Sequence, residues 1–394
     1  MFFLLPSSLS FLSALLLLQS PHAVTSYKSL SESFLRAIPS PGSDIDPLTG
    51  PLLAPILIPR VPGTPGQTKV QHHFVNLFRS ELPNWSIEWQ NSTARTPISG
   101  GAELPFANLI FRREPPWVKP GQANLLTLVA HYDSKYQPEG FVGATDSAAP
   151  CAMLLHVARV VDKHVQRMYD EMQELGEGGS VEMDMGIQIL LLDGEEAFEK
   201  WTEDDSLYGS RALAQQWSLS PNPPSAKFYK YRTPMSQISL FLLLDLLGSP
   251  SPHVPSYFPT THWAYQHLST IESRMRALQL LESSPSTPFL PDMDRTTGAH
   301  AAISDDHLPF MGGGVEVLHV IPHPFPDVWH SMEDDGQHLD MPTVRDWSKI
   351  VAAFALEWLD MMEKIAKWIK AMISLKQTEM SIEIEWMPES YRMD

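Results

Sequence analysis

Cysteine is almost absent from these 394 residues: Cys151 is the only one, so no disulfide can form within the chain. Stability must come from a core. Cys151 lies in the apolar run from Ala148 to Val161 with no base beside it in sequence, so it reads as a small buried hydrophobe rather than a reactive thiol. Positive charge is also scarce. Lys and Arg number 28 against 46 Asp and Glu, a net charge of −18, which repels phosphate backbones and argues against nucleic acid as a partner. A small molecule or a peptide is easier to accommodate.

A membrane-length apolar run is lacking at the N-terminus as well. Met1 to about Ser26 is apolar, but it is short for a full span, Pro6 and several serines interrupt it, and no Lys or Arg flanks it before Lys28. It ends in small residues around Ala23, so residues 1–26 read as a signal peptide for the secretory pathway, with a retained anchor as the alternative. Two acceptor triplets, Asn84-Trp85-Ser86 and Asn91-Ser92-Thr93, fit glycosylation in that compartment.

What the chain does have is alternation of strand-like and helical patterns. Residues 27–68 are dense in Pro and Gly, which opposes regular helix and predicts an extended arm wrapping the domain. From 69 to about 375 the pattern predicts a single α/β domain. Val70 to Leu82 has helical spacing, and Ala107 to Arg112 and Leu125 to Ala130 read as strands. Ala148 to Val161 reads as a helix capped by Asp146 or Ser147, with Pro150 tolerated in its first turn. Ile187 to Leu192, Ile238 to Leu244 and Val315 to Ile321 are short and almost wholly apolar, as in a parallel sheet covered on both faces. Residues 163–184 are expected to be a solvated insertion and Ser283 to Thr297 a loop near a crevice mouth. Val344 to Met372 reads as a long amphipathic helix, followed by a tail over 376–394.

Charged residues recur just beyond these apolar runs: His131, Asp146, Glu195 with Glu196, Asp245 and His330. Parallel sheets collect their chemistry at the carboxyl ends of strands, so such residues point to one shared crevice. A catalytic zinc takes three protein ligands and leaves a further position open, and Asp146, Glu196 and His330 can supply that trio. Adjacent side chains on an extended backbone point to opposite sides, so Glu195 and Glu196 take two roles. The one outside the metal's grasp, among other carboxylates, can act as general base and then acid. Taken alone, the pair could equally be first-turn helix charges.

The segments HYDSKY (131–136), GATDSAAPCAMLL (143–155), LLDGEEAFEKW (191–201), DSLYGSR (205–211), FLLLDLLGSPSP (241–252), DDHLPF (305–310) and VLHVIPHPFPDVWHSMEDD (317–335) are similar to the secreted glutaminyl-peptide cyclotransferases over residues 70 to 370. The resemblance implies a zinc-aminopeptidase-like (phosphorylase/hydrolase-like) architecture: a central, mostly parallel twisted sheet flanked by helices. It implies one Zn2+ per chain on Asp146, Glu196 and His330, and Glu195 as the proton shuttle. Asp245 and Asp305 would be its acidic hydrogen-bonding partners, and Trp201, Phe325 and Trp329 the aromatic wall, with Ile303 as an apolar pocket residue. The implied activity is cyclisation of N-terminal Gln, or Glu, of peptides to pyroglutamate, by a monomer free of the membrane once its leader is removed. Ala130 stands where animal members often have a cysteine that pairs with the one in the APC segment, so that disulfide is lost.

The rival is a two-zinc aminopeptidase, because His131 and Asp245 stand where that related group holds a second metal. In the one-metal reading, His131 and Asp133 form a supporting pair. His307 could bond to Asp305 or Asp306, but His307, His319 and His323 are expected to be packing or surface residues. Ser331, Glu333, Asp334 and Asp335 are expected to orient the His330 loop.

Overall fold

The computed structural model describes residues 29–174, 184–223, 231–296 and 303–359. The β-rich runs form one six-stranded sheet: β1 (Ser86–Arg95), β2 (Glu103–Arg113), β3 (Asn124–His131), β4 (Met185–Leu192), β5 (Ile238–Leu244) and β6 (Val317–Val320). Their order is β1-β2-β4-β3-β5-β6. The four strands β4, β3, β5 and β6 are parallel to their neighbours, whereas β1 pairs antiparallel with β2 and β2 with β4. The expected mostly parallel sheet is therefore present, with an antiparallel pair added at one side. β1 escaped the sequence reading because its residues are mostly polar, as an edge strand permits.

Apolar side chains on the central strands alternate between two cores. Leu126, Leu128, Ile189, Leu191, Leu240 and Leu242 face one, and Val129, Leu190, Leu192, Phe241 and Leu243 face the other. The first core is closed by α2 (Pro65–Glu81), α3 (Ala149–Glu174), α5 (His262–Ala277) and α7 (Met341–Leu359); the second by α4 (Tyr208–Leu219) and α6 (His307–Gly312). α2 starts at Pro65, before the first apolar repeat, because the Thr64 hydroxyl accepts the Gln67 amide and Pro65 lacks the amide a first turn leaves unpaired.

The 27–68 arm is more than a wrapping. It opens with α1 (Glu32–Ala37), and Leu35, Ile38, Ile45, Leu52, Leu53 and Ile56 are buried in the same core as the sheet. The predicted insertion is corrected too: α3 runs on to Glu174, burying Val165, Tyr169 and Met172, because the apolar spacing persists through charged neighbours. Residues 175–183 of that stretch lie outside the described residues.

The Pro-containing segment from Ser283, as far as residue 296, does not line the crevice. Phe289 and Leu290 are buried against α5, where the Glu272 carboxylate accepts both of their amides at 2.8 and 3.0 Å. α7 is described to Leu359; the rest of the predicted helix, the tail and the leader lie outside the described residues. Among the described residues no helix is long and apolar enough to cross a membrane.

Candidate active site and metal centre

The site forms where the parallel strands end. β3 delivers His131 as its last residue, β4 is followed by Glu195 and Glu196, β5 by Asp245, and the loop after β6 brings Phe325, Trp329 and His330. Asp146 arrives from the turn before α3. Neither it nor Ser147 caps the helix as expected: both depart from helical geometry (φ −118°, ψ 77° and φ −128°, ψ 47°), and their side chains are engaged by His131, His330 and Asp245 instead. Asp146 Oδ1 lies 3.0 Å from His131 Nε2, Asp146 Oδ2 lies 3.3 Å from His330 Nε2, and the Ser147 hydroxyl donates to Asp245.

Ligand atoms of Asp146, Glu196 and His330 lie within 4.8 Å of one another. Glu196 Oε1 is buried, with His330 Nε2 at 3.6 Å and no hydrogen-bond partner, while Lys135 Nζ reaches its other oxygen at 3.2 Å. A buried carboxylate oxygen without a donor, facing another carboxylate and an imidazole, fits a cation. His330 has φ +56°, a left-handed conformation that surrounding contacts must impose on a non-glycine residue. Of the expected loop-orienting residues, Asp334 does most: its Oδ1 accepts the Thr145 amide at 2.7 Å and its carbonyl accepts Ala144 N at 3.0 Å, fastening the His330 loop to the Asp146 turn. Ser331 also ties the loop, its hydroxyl donating to the Val328 carbonyl at 2.8 Å and accepting the Glu333 amide at 3.3 Å.

Electrostatics divide the two glutamates. Burial raises the proton affinity of Glu195 well above the usual carboxylate range; His131 opposes this, and Glu196, Asp305 and Asp306 reinforce it. Burial and the Asp146 charge also raise Glu196, and His330 and Lys135 oppose this without cancelling it. Burial lowers His330, and the carboxylates of Asp146 and Glu196 more than reverse that, lifting it to about 9.

Around these groups lies a cavity of about 210 Å³. Asp146, Glu195, Glu196, Trp201, Asp245, Ile303, Phe325, Trp329 and His330 all line it, and Leu246, Ser304 and Ile321 complete the wall. Asp305 is buried and is not among the lining residues. Trp329 stacks on His330 with ring centroids 3.8 Å apart, and Phe325 meets Trp329 edge-on at 4.9 Å. Trp201 and Trp329 remain 37% and 40% exposed, enough for both indoles to meet a ligand.

Among the described residues no hydrogen bond joins Glu195 to Asp245 or Asp305, and each aspartate holds another contact. Asp245 Oδ1 accepts from the Ser147 hydroxyl and the Leu246 amide, and Asp305 Oδ2 lies 2.7 Å from His319 Nε2. His319 is thus a partner of Asp305 rather than a packing residue. A histidine within the apolar strand β6 needed a buried partner, and that was the available signal. His307 is buried beside His319, with no hydrogen bond to Asp305 or Asp306.

One support goes beyond its expected role, and another was missed. The Asp133 carboxylate accepts the backbone amides of Glu195 and Glu196 at 3.1 and 3.2 Å and approaches His131 Nδ1 at 3.3 Å, so it holds the β4 turn as well as the histidine. Arg60, from the arm, is fully buried and donates to the carbonyls of Tyr132, Asp133, Val142 and Gly143 beneath the site. Cys151 is buried too; its thiol, pushed up to about 12 by burial, donates to the His131 carbonyl and stays protonated.

Charged groups gathered at the carboxyl ends of parallel strands, with a three-ligand cation pocket, define a metal-dependent enzyme of α/β type. The profile described as "Peptidase family M28" matches residues 116–355. The chain is 39% identical over 336 residues to a glutaminyl-peptide cyclotransferase-like protein of Bos taurus, covering 84% of this chain and 80% of that one. It is 37% identical over 334 residues to the glutaminyl-peptide cyclotransferase of the same species, covering 84% and 86%. The crystal structure of Macrostomum lignano glutaminyl cyclase superposes with a TM-score of 0.68 at 28% identity, over 85% of this chain and 95% of that one. The chain belongs to peptidase family M28 and, within it, to the glutaminyl-peptide cyclotransferases.

Proposed function

We propose that this protein converts the N-terminal glutamine of peptides and proteins into pyroglutamate with release of ammonia, using one zinc ion held by Asp146, Glu196 and His330. The observation that carries the mechanism is the Glu195 carboxylate: buried, raised in proton affinity, and lacking any hydrogen-bond partner among the described residues while lining the crevice beside that trio. Zinc held there supplies Lewis acidity toward the γ-carbonyl of the substrate.

The residues of the chain do the rest. Ile303, Phe325 and Trp329, with Trp201 at the rim, enclose the glutamine side chain so that its α-amine is held close to its own Cδ. Glu195 accepts a proton from the amine as the new N–C bond forms, then returns one to the amide nitrogen as the old C–N bond breaks and ammonia departs. Its raised proton affinity suits it to both halves of that exchange near neutral pH. Lys135, against Glu196, opposes protonation of the neighbouring carboxylate, which favours the separate roles of the two glutamates. The aromatic wall keeps water from competing with the amine.

The two-zinc aminopeptidase reading draws support from the proximity of His131, Asp146 and Asp245, whose ligand atoms also lie within 4.8 Å. Against it, Asp245 Oδ1 is already engaged by the Ser147 hydroxyl and the Leu246 amide. One metal is therefore favoured. The enzyme acts as a monomer in the secretory pathway, on substrates that begin with Gln or Glu.

Glu195→Gln tests the division of labour. It should keep zinc at the wild-type ratio and lose turnover by at least ~100-fold, because it removes proton transfer without removing a ligand. Loss of zinc from that variant would mean that the two glutamates are assigned the wrong way round.

A further inference from the structure

A second cavity, of about 500 Å³, opens at the sheet edge between the start of α2 and strands β1 and β2, and shares no lining residue with the crevice. Its lining carries no charged side chain, and Gln67, Thr68 and Gln71 from α2 face Asn91 and Thr93 of β1. Asn91, the acceptor of Asn91-Ser92-Thr93, forms part of the same wall. Ile87 and Trp89 pack toward the α2 side of the sheet, so strand alternation turns Asn91 and Thr93 to that side too. Asn91 is exposed there, and its carboxamide makes no hydrogen bond among the described residues.

The other triplet is built differently. Asn84 Nδ2 donates to Gln166 Oε1 at 3.1 Å, and its neighbour Trp85 is buried with Nε1 bonded to Asp162 at 2.9 Å. A modification at Asn84 would displace the first of these contacts. At Asn91 nothing has to break.

We propose that Asn91 carries an N-linked glycan whose first sugars lie in this cavity. Gln67 is already bonded to Asp193 and Gly63, but the Gln71 carbonyl oxygen and the hydroxyl oxygens of Thr68 and Thr93 remain as acceptors for the hydroxyls of a neutral polyol, whereas an ionic ligand would find no countercharge. The attachment uses a lipid-linked diphosphate oligosaccharide: Asn91 Nδ2 loses a proton and bonds to the anomeric carbon, the sugar–phosphate bond breaks, and the lipid diphosphate leaves. The position has a physical use. β1 is the open edge of the sheet, with backbone groups available for pairing with another chain, and a glycan at its centre blocks that approach.

This inference rests on the secretory part of the proposed function and not on the cyclisation chemistry, and the test separates them. The full chain is secreted from a eukaryotic host, its glycopeptides are mapped by mass spectrometry, and cyclisation of a Gln-initiated peptide is assayed alongside. Asn91 should be occupied, and Thr93→Ala and Asn91→Gln should each abolish that occupancy while leaving turnover unchanged. Peptide N-glycosidase should release the glycan roughly tenfold or more slowly from folded protein than from unfolded chain. The unglycosylated variants should also self-associate at lower concentration. An unmodified Asn91 overturns the proposal, and so does a glycan released equally fast from both states; absent cyclisation with an occupied Asn91 would instead count only against the enzymatic reading.

Discussion

Glu195 and Glu196 are adjacent in sequence yet have opposite surroundings: Glu196 is approached by His330 at 3.6 Å and Lys135 at 3.2 Å, while the Glu195 carboxylate has no hydrogen-bond partner among the described residues. The extended turn after β4 separates them, and Asp133 fixes that turn through both backbone amides. One carboxylate is thereby presented to a cation pocket and the other left available for proton transfer.

His330→Ala should remove zinc and activity together. Deleting the only imidazole of the proposed trio should weaken metal binding by more than ~100-fold, as read by zinc content after dialysis against a weak chelator. A variant that keeps tight, stoichiometric zinc would contradict the ligand assignment.

Asp305 acts on Glu195 through charge. Burial is the largest influence on Glu195 and Asp305 adds to it, while the His319 contact overcomes burial to hold Asp305 itself below the usual range and so anionic. Asp305→Asn removes a negative charge near Glu195, so the proton affinity of Glu195 falls and the acidic limb of the kcat/KM profile moves to lower pH. A shift to higher pH would show that the charge does not act this way.

Much of this was legible in the sequence because buried parallel strands are short apolar runs and their ends carry the charged residues. Ile238 to Leu244 matches β5, and Asp245 follows it directly. The supporting contacts were not legible for physical reasons. Arg60 sits in a Pro-rich arm whose local pattern carries no sign that its guanidinium will be buried under strands seventy or more positions later in the chain. The reading of Asp146 as a cap followed local helix rules, and the pull of His131 and His330 overrides those rules. β1 lacked apolar alternation because an edge strand buries little, and residues 163–174 looked solvated because charged residues on one helix face masked the buried one.

Arg60→Met should destabilise the fold by about 3–5 kcal/mol, because it strands several buried carbonyls that share one guanidinium. Denaturant melts of zinc-loaded protein measure this. A loss below about 1 kcal/mol would mean that water replaces the guanidinium without cost.

His156, remote from the crevice in α3, gives the fold an acid sensitivity. Burial lowers it from 6.5 to about 4, outweighing the opposing bond to the Pro39 carbonyl. Its folded value lies below its unfolded one, so the unfolded chain binds more protons between them. Stability of roughly 3 kcal/mol is then present above pH 6.5 and is lost as pH falls through that window toward about 4. His156→Gln should flatten the dependence of unfolding free energy on pH there, whereas parallel curves for the two proteins would contradict the assignment.

The central claim is tested most directly by incubating the zinc-loaded protein with one peptide beginning with Gln and another beginning with Leu, while recording ammonia, peptide mass and zinc per chain. The Gln peptide should lose the mass of one ammonia, the Leu peptide should emerge intact, and a single zinc should be bound. Release of free leucine by a protein carrying two metals, with the Gln peptide left uncyclised, would contradict it.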